Sequence, residues 1–430
     1  MSKRRIILIV ILIFVVASTG VLIGRWSIVG AEGEGYEELK VFTEALSMVK
    51  KNYVEDVKAK DLVYGAIRGM LSSLDPHSSF LNPEAYKEMQ AETKGEFGGI
   101  GIQIGVKEGM LTVIAPIEDT PAYMAGIKAG DKIIKINNES TKDMSLHDAV
   151  SKMRGVPKTS VTITILREGW KETKDFTLVR ELIKIKSVKS RLLEEGIGYV
   201  KISQFQEQTA ADLSTAMEKL MQEKMNSLVL DLRNNPGGLL NSAVSVTSDF
   251  LPPGKLVVYI KGKKGERTEY NTGDERPNYD MPMIVLVNEG SASASEIVAG
   301  ALKDWNRAVI LGAKTFGKGS VQSVIPLSDG SGLRLTTAIY YTPKGTSIQA
   351  TGIVPDIVVK LEIKEKGKEH PVIREKDLER HLKNNEGEEV PKEPEEMAPI
   401  EVEEKEDAQL QRAIDLLKTW KVFKELPKAS

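Results

Sequence analysis

The sequence predicts an α/β protein with a layered core of parallel strands, a β-rich region before that core, and helical segments at both ends. Between residues 185 and 360, apolar strands such as 227–232 alternate with amphipathic helices such as 209–223. This alternation is typical of parallel sheets that are covered by helices. Before the core, 161–165 (VTITI) alternates apolar and polar residues, as a half-buried strand does.

Helical spacing of apolar residues marks both ends of the chain. Leu39, Phe42, Leu46 and Val49 recur at this spacing within a helical region over 36–90, which a turn-rich stretch at 74–83 interrupts. At the other end, an apolar stripe over 408–423 predicts a helix that docks either on its own subunit or on a second one.

Six segments are expected from these patterns, separated by shifts in composition. A proline-bearing stretch with many acidic residues, 362–407, has the composition of a flexible linker. The expected segments are an N-terminal anchor and linker (1–35), a helical region (36–94), a β-rich domain (95–182), the α/β core (183–361), the charged linker (362–407) and a C-terminal helix (408–430).

Composition excludes several classes of function. The 430 residues include 59 Lys and Arg against 61 Asp and Glu, and a chain this balanced has no basic field for nucleic acid. Cysteine is absent, so disulfides, thiol nucleophiles and thiolate metal sites are excluded. No two of the four histidines have metal-ligand spacing on one helix face, and no metal or organic cofactor is expected.

The N-terminus predicts a membrane location. Lys3, Arg4 and Arg5 precede an uncharged apolar run over 6–24, and about 20 such residues suffice to span a bilayer. Basic residues before the span favour a cytoplasmic N-terminus. A single-pass protein with an extracytoplasmic catalytic part is therefore expected, and a cleaved signal peptide is the alternative.

A glycine-rich segment, 97–102 (FGGIGI), precedes a strand in the β-rich region. Successive N–H groups in such a segment can form a nest for an anion, and an exposed strand edge after it can add an extended peptide. A plain glycine-rich turn is the alternative interpretation. The block over 115–137 resembles PDZ domains, which implies that free protein C-termini bind between this strand and the helix near 146–153.

The segment 290–296 (GSASASE) lies between a buried strand and a helix. A lone serine there usually caps the helix, but a helix N-terminus also offers N–H groups to a developing oxyanion. A serine nucleophile needs a base, and no histidine lies between 148 and 369. The remaining candidate is Lys318, between two glycines, although such a lysine alone is more often part of a solvated turn.

Taken together, the motifs resemble the carboxyl-terminal processing (tail-specific) serine proteases. They are 73–78 (SLDPHS), the PDZ-like block, 231–238 (DLRNNPGG), 290–296, 316–322 (FGKGSVQ) and 351–356 (TGIVPD). The resemblance implies a crotonase/ClpP-like α/β protease core with an inserted PDZ domain. It implies Ser293 as nucleophile, Lys318 as base and Gln322 as the residue that orients the lysine; Ser293 and Lys318 keep the family's spacing, which Ser291 and Ser295 do not.

The resemblance also implies the other site residues. The oxyanion hole would be formed by the N–H groups of Gly237, Gly238 and Ala294, and the peptide-binding segment by Gly98, Gly99, Ile100, Gly101 and Ile102. A gating role for Arg154, at the end of the groove helix, competes with that of an ordinary helix-terminal arginine beside a glycine cap.

The predicted function is a serine endopeptidase that cleaves proteins near their C-termini. Homodimerisation through the terminal helices is expected from the apolar faces of 36–71 and 408–423. A catalytically inactive, membrane-anchored PDZ adaptor and a different acyl-transfer enzyme are the alternative functions.

Overall fold

The computed structural model describes residues 35–107, 109–274, 277–359, 373–384 and 407–425, and divides after Met70 into two compact units. The helices are α1 (Tyr36–Asn52), α2 (Ala59–Ser72), α3 (Pro83–Lys94), α4 (Pro121–Met124), α5 (Leu146–Met153), α6 (Thr209–Gln222), α7 (Leu240–Ser248), α8 (Ala294–Asp304) and α9 (Ala408–Glu425). The strands are β1 (Ser79–Leu81), β2 (Glu96–Gly99), β3 (Ile102–Lys107), β4 (Met110–Pro116), β5 (Lys132–Ile136), β6 (Glu139–Ser140), β7 (Ser160–Leu166), β8 (Lys174–Val179), β9 (Glu181–Lys184), β10 (Val188–Leu192), β11 (Ile197–Ile202), β12 (Ser227–Asp231), β13 (Leu256–Gly262), β14 (Arg267–Asn271), β15 (Met283–Val287), β16 (Val309–Gly312), β17 (Ser320–Pro326), β18 (Gly332–Tyr341) and β19 (Ile357–Val358).

A six-stranded sheet, in the order β10-β11-β12-β15-β16-β19, forms the centre of the second unit. Its strands from β11 to β19 run parallel, and β10 is antiparallel at one edge. Strand β12 is buried along its whole length because both faces of the sheet are covered. Its side chains alternate, so Leu228 and Leu230 enter one apolar cluster and Val229 enters the other.

Helices cover the two faces of this sheet. Helices α6, α7 and α8 supply the larger cluster, which contains Leu213, Val246 and Val298. Helix α9 covers the opposite face with four buried side chains, Leu410, Ala413, Ile414 and Leu417. The apolar stripe expected at the C-terminus therefore docks on its own subunit over this part, whereas Trp420 and Phe423 remain exposed.

A second sheet carries the strand that follows the Lys318 turn. Strand β18 pairs with β1, β13 and β17, and β14 extends the sheet beyond β13. Through β1, the turn-rich motif 73–78 is joined to the core: Phe80 lies opposite Leu333.

The β-rich region forms its own sheet, in the order β3-β4-β5-β7-β8, with β6 paired to β5. Strand β3 is at the end of this order, so its outer edge is unpaired within the sheet. Helix α5 begins after Ser145, whose hydroxyl caps the helix by accepting from the Asp148 N–H. A short ladder of β2 and β9 joins the beginning and the end of this region.

One prediction about location is corrected here. The expected membrane span over 6–24 lies outside the described residues, and no helix within them is long and apolar enough to cross a bilayer. The localisation expected from the sequence, a single-pass membrane protein with an extracytoplasmic catalytic part, is therefore wrong by this finding.

Candidate active site

The three serines of 290–296 differ sharply in their surroundings. Ser291 is fully buried and its hydroxyl donates to the Leu232 carbonyl at 2.8 Å. Ser295 is equally buried and donates to the Asn235 carbonyl at 2.9 Å. Ser293 is half-buried, so its hydroxyl is the one among the three that a ligand can approach.

The backbone at Ser293 is strained. Its φ of 54° and ψ of −114° lie outside the regions that a non-glycine residue ordinarily adopts. Such conformations cost about 1–3 kcal/mol and cluster at functional sites. Ser293 stands directly before helix α8, and its side chain is thereby presented at the positive end of that helix.

Glu296 links the serine to the lysine turn. This fully buried carboxylate accepts four hydrogen bonds. Oε2 accepts from the N–H of Ser293 at 2.8 Å and of Lys318 at 3.0 Å. Oε1 accepts from the N–H of Gly317 at 2.8 Å and the hydroxyl of Thr315 at 2.5 Å. Burial raises the pKa of Glu296 to about 7, although these hydrogen bonds act to lower it.

Lys318 is held in a turn ahead of strand β17. Burial lowers the pKa of its amine, and the charge of Arg334 lowers it further, against Glu375, Glu296 and Asp75, which raise it. The amine thus loses its proton more readily than a solvated lysine does. Buried Tyr340 donates its hydroxyl to the Lys318 carbonyl.

Gln322 lies on β17, opposite Thr336. Its amide nitrogen donates to Ser320 Oγ at 3.0 Å and to Thr336 Oγ1 at 3.4 Å. Thr336 Oγ1 in turn donates to Asp75 Oδ1 at 3.1 Å, and Asp75 belongs to the 73–78 motif. The side chain of Gln322 is therefore held on β17, the strand after Lys318, by a series of hydrogen bonds that reaches the 73–78 motif.

The glycine turn of 231–238 lies against Ser293. A Cβ on Gly237 would stand 2.7 Å from the Ser293 Cβ, so the close approach requires glycine. The Gly237 N–H donates to Asn235 Oδ1 at 2.9 Å and is therefore already engaged. Among the described residues, the N–H groups of Gly238 and Ala294 have no acceptor.

The predicted peptide-binding segment divides into two parts. Gly98 and Gly99 belong to β2 and pair with β9. Ile100 is buried, and the N–H groups of Ile100 and Gly101 have no acceptor within the described ranges. Ile102 begins β3, the strand with the unpaired edge.

Arg154 follows helix α5 with an extended backbone. Its guanidinium lies 4.6 Å from the centre of the Phe97 ring, at a cation–π distance. Phe97 belongs to β2 and lies opposite Ile183 in the β2–β9 ladder. The last carbonyls of the helix are capped by Arg180, which donates to Lys152 and Met153 at 2.7 and 3.0 Å.

Comparisons with known proteins identify the family. The profile of Peptidase family S41 matches residues 196–359, a PDZ-domain profile matches 112–167, and the profile "Activating protease CtpB N-terminal domain" matches 27–85. The carboxy-terminal-processing protease of Bartonella bacilliformis is 44% identical over 420 residues, 96% of each chain. The chain belongs to the carboxy-terminal processing proteases. It is therefore a serine-type endopeptidase, as the sequence motifs predicted.

Two further relatives are similar over most of this chain. The carboxy-terminal processing protease CtpB of Bacillus subtilis is 36% identical over 335 residues, 77% of this chain and 69% of that protein. A solved structure titled photosystem II D1 C-terminal processing protease is 33% identical and covers 74% of this chain and 92% of its own, with a TM-score of 0.45. The predicted fold class, an α/β protease core with an inserted PDZ domain and helical terminal segments, is confirmed.

Three buried residues near the lysine turn were not predicted to belong to the site: Glu296, Tyr340 and Glu375. Glu296 lies three residues after Ser293, a spacing that indicates a helix cap. This spacing does not indicate that the same carboxylate also binds the N–H of Lys318. Within the described residues, no group of three or more His, Asp or Glu side chains is arranged to hold a metal ion.

Proposed function

We propose that Ser293 is the nucleophile and Lys318 the general base of this endopeptidase. The observation that carries the proposal is the arrangement around Glu296, which binds the N–H groups of both residues through one oxygen. Only Ser293 of the three motif serines is accessible, and Lys318 is the nearby amine with a lowered pKa.

The reaction follows from these groups. The neutral Lys318 amine accepts the Ser293 hydroxyl proton as Oγ attacks the scissile carbonyl carbon. The carbonyl oxygen becomes an oxyanion, for which the N–H groups of Gly238 and Ala294 are the proposed donors. The C–N bond then breaks, the lysine ammonium returns the proton to the leaving amine, and water hydrolyses the acyl-enzyme with the same base.

Gln322 is proposed as an orienting residue for Lys318. Its amide nitrogen is engaged by Ser320 and Thr336, so its carbonyl oxygen is the group that remains for the lysine amine. An uncharged acceptor suits this place because a carboxylate would favour the protonated amine.

We propose that the PDZ domain binds the C-terminus of the substrate. The N–H groups of Ile100 and Gly101 suit the terminal carboxylate, and the unpaired edge of β3 suits the preceding residues as an added strand. Half-buried Ile102 and Val150 offer an apolar surface for the last side chain.

A gating role for Arg154 remains a proposal. Its stacking on Phe97 connects the end of the groove helix to the ladder that joins the PDZ domain to the core. If peptide binding shifts helix α5, the contact between Arg154 and Phe97 changes. Arg154→Ala is then expected to bind C-terminal peptides normally yet to cleave them much more slowly. An unchanged rate of Arg154→Ala on a substrate too short to reach the groove would remove the gating role from Arg154.

A homodimer is proposed from the exposed apolar side chains of the terminal helices. In α1, Leu39 is 64% and Phe42 41% exposed, and in α9, Trp420 is 58% and Phe423 67% exposed. A second copy of the chain would bury such surfaces. Sedimentation at micromolar concentration tests this proposal, and a monomer would contradict it.

The dyad is tested with a quenched peptide that ends in a free carboxylate and an apolar residue. Ser293→Ala and Lys318→Ala should each lower kcat by about 10⁴-fold, because the two residues act as one unit. Ser295→Ala is the matched control and should remain active. The same peptide with an amidated C-terminus should show a raised KM if the PDZ domain binds the carboxylate. Full activity of Ser293→Ala would refute the nucleophile assignment.

A further inference from the structure

The segment 373–384 packs against the turn that carries Lys318. Arg374 Nη1 donates to the carbonyls of Lys314 at 3.3 Å and Thr315 at 3.2 Å. The Glu375 N–H donates to the Phe316 carbonyl at 3.3 Å. Arg374 and Glu375 thus bind the main chain just before Lys318, although they follow Lys318 in the sequence by more than fifty positions.

The side chain of Glu375 reaches the other end of the same turn. It is fully buried, and its Oε1 accepts from Gln349 Nε2 at 2.9 Å. Gln349 Oε1 accepts from the Gly319 N–H, also at 2.9 Å. Glu375 therefore contacts the turn on both sides of Lys318. Its N–H binds the turn directly before the lysine, and its carboxylate reaches the Gly319 N–H after the lysine through the side chain of Gln349.

His77 completes this arrangement from the N-terminal motif. Its Nε2 lies 2.7 Å from Glu375 Oε2, and the His77 side chain is 15% exposed. The His77 main chain is fixed as well, because its N–H donates to Asp75 at 2.8 Å and its carbonyl accepts from Arg334 at 3.2 Å. A carboxylate buried in this way needs such partners, since an unpaired one would be costly.

We propose that Glu375 is a positioning residue for Lys318, acting through Gln349 and held in place by His77. This inference rests on the proposed role of Lys318 as the base. A turn that moved by about 1 Å would misplace the amine enough to lower the rate about 100-fold. Glu375 restrains the turn on both sides of the lysine without using the catalytic amine itself.

The charge of Glu375 gives the proposal a distinct signature. Four charged groups act on the Lys318 pKa: Arg334 lowers it, and Glu375, Glu296 and Asp75 raise it. Glu375 itself faces His77 and Lys318, and although burial acts upward, these partners and Gln349 bring its pKa below the ordinary value. It is therefore an anion, and its removal should lower the pKa of Lys318.

The test measures kcat/KM against pH for Glu375→Gln with the quenched peptide. We expect kcat to fall about 10- to 100-fold because the turn loosens, and the rising limb of the profile to move to lower pH. Glu379→Gln removes a charge from an exposed position on the same segment and is the matched control, with wild-type kcat and an unmoved limb.

His77→Phe is the second variant, and it decides the matter if Glu375→Gln does not fold. It removes the partner that holds the Glu375 carboxylate in place while Glu375 itself is retained, so kcat should fall at unchanged KM. The proposal is overturned if Glu375→Gln or His77→Phe has the same kcat as Glu379→Gln. It is also overturned if Glu375→Gln loses activity while the rising limb of its pH profile stays where it is in the wild type. Lys318→Ala measured in parallel separates the two hypotheses: if it stays active, the base assignment fails instead.

Discussion

Substitution of Glu296 tests the link between the nucleophile and the base. Glu296→Leu removes all four acceptor contacts of the carboxylate, including those to the N–H groups of Ser293 and Lys318. Both main-chain segments are then free to shift, and a displacement of about 1 Å at a reacting group lowers rates about 100-fold. We expect kcat/KM to fall by at least that factor.

Glu296→Gln should be much milder, for a reason visible in the contacts. The Thr315 hydroxyl, beside Oε1, can accept a hydrogen bond as well as donate one. The amide nitrogen therefore favours the Oε1 position, and the amide oxygen continues to accept from Ser293 and Lys318. The Gly317 N–H and the Thr315 O–H then lose their acceptor, while the contacts to Ser293 and Lys318 are kept. We therefore expect kcat/KM to fall less than about 10-fold, at a stability cost of about 1–3 kcal/mol for each lost acceptor.

The stability of the wild type should depend on pH through Glu296, and that of Glu296→Gln should lack this dependence. The folded-state pKa of Glu296 is raised from 4.5 to about 7. Between these values the folded state binds more protons than the unfolded state, so stability is present at low pH and is lost as the pH rises. The difference corresponds to about 3 kcal/mol. Glu296→Gln cannot titrate and lacks this loss.

The assay is thermal unfolding of wild type and Glu296→Gln from about pH 5 to about pH 8, together with kcat/KM. The melting-temperature gap between the two proteins should narrow as the pH rises. A gap that stays constant would mean that Glu296 does not titrate in this range. Wild-type kcat/KM in Glu296→Leu would refute the idea that this residue links nucleophile and base.

Three further predictions concern other parts of the site. Gly237→Ala should fold but lose most peptidase activity, because the new Cβ would stand 2.7 Å from that of Ser293; wild-type activity would contradict the close approach. Arg233→Leu should destabilise the protein by about 3–5 kcal/mol in thermal unfolding, since it strands the buried carboxylates of Asp231 and Asp407. An unchanged melting temperature would contradict this role. Chelators and thiol reagents should leave peptide cleavage unchanged, because the proposed chemistry uses neither a metal nor a thiol; strong inhibition by a chelator would count against the dyad.

The core could be predicted from the sequence because its pattern is unambiguous. Strand β12 has three consecutive apolar residues, Leu228 to Leu230, between Ser227 and Asp231, as expected for a strand buried on both faces. The outer strand β14 could not be predicted, because it is largely exposed and its residues alternate little. Such strands form through pairing with distant partners, which a local pattern does not reveal.

The site could be predicted in part for a similar reason. Ser293 and Lys318 lie in motifs that indicate a candidate site only when they are taken together with the others. The proposed role of Glu375 could not be predicted because 362–407 has the composition of a linker, and the contact with His77 spans 298 positions. The stretch 373–384 of that range contains the buried residues Arg374 and Glu375, whose side chains find partners only in the folded core.

The most direct test of the dyad is the rate at which a fluorophosphonate labels the protein, measured against pH in wild type and Lys318→Ala. The adduct is located by peptide mass mapping. We predict a single adduct on Ser293, formed at a rate that rises with pH as Lys318 loses its proton below the ordinary lysine range. Lys318→Ala should label far more slowly. An adduct on Ser291 or Ser295, or an unchanged labelling rate in Lys318→Ala, would contradict the dyad.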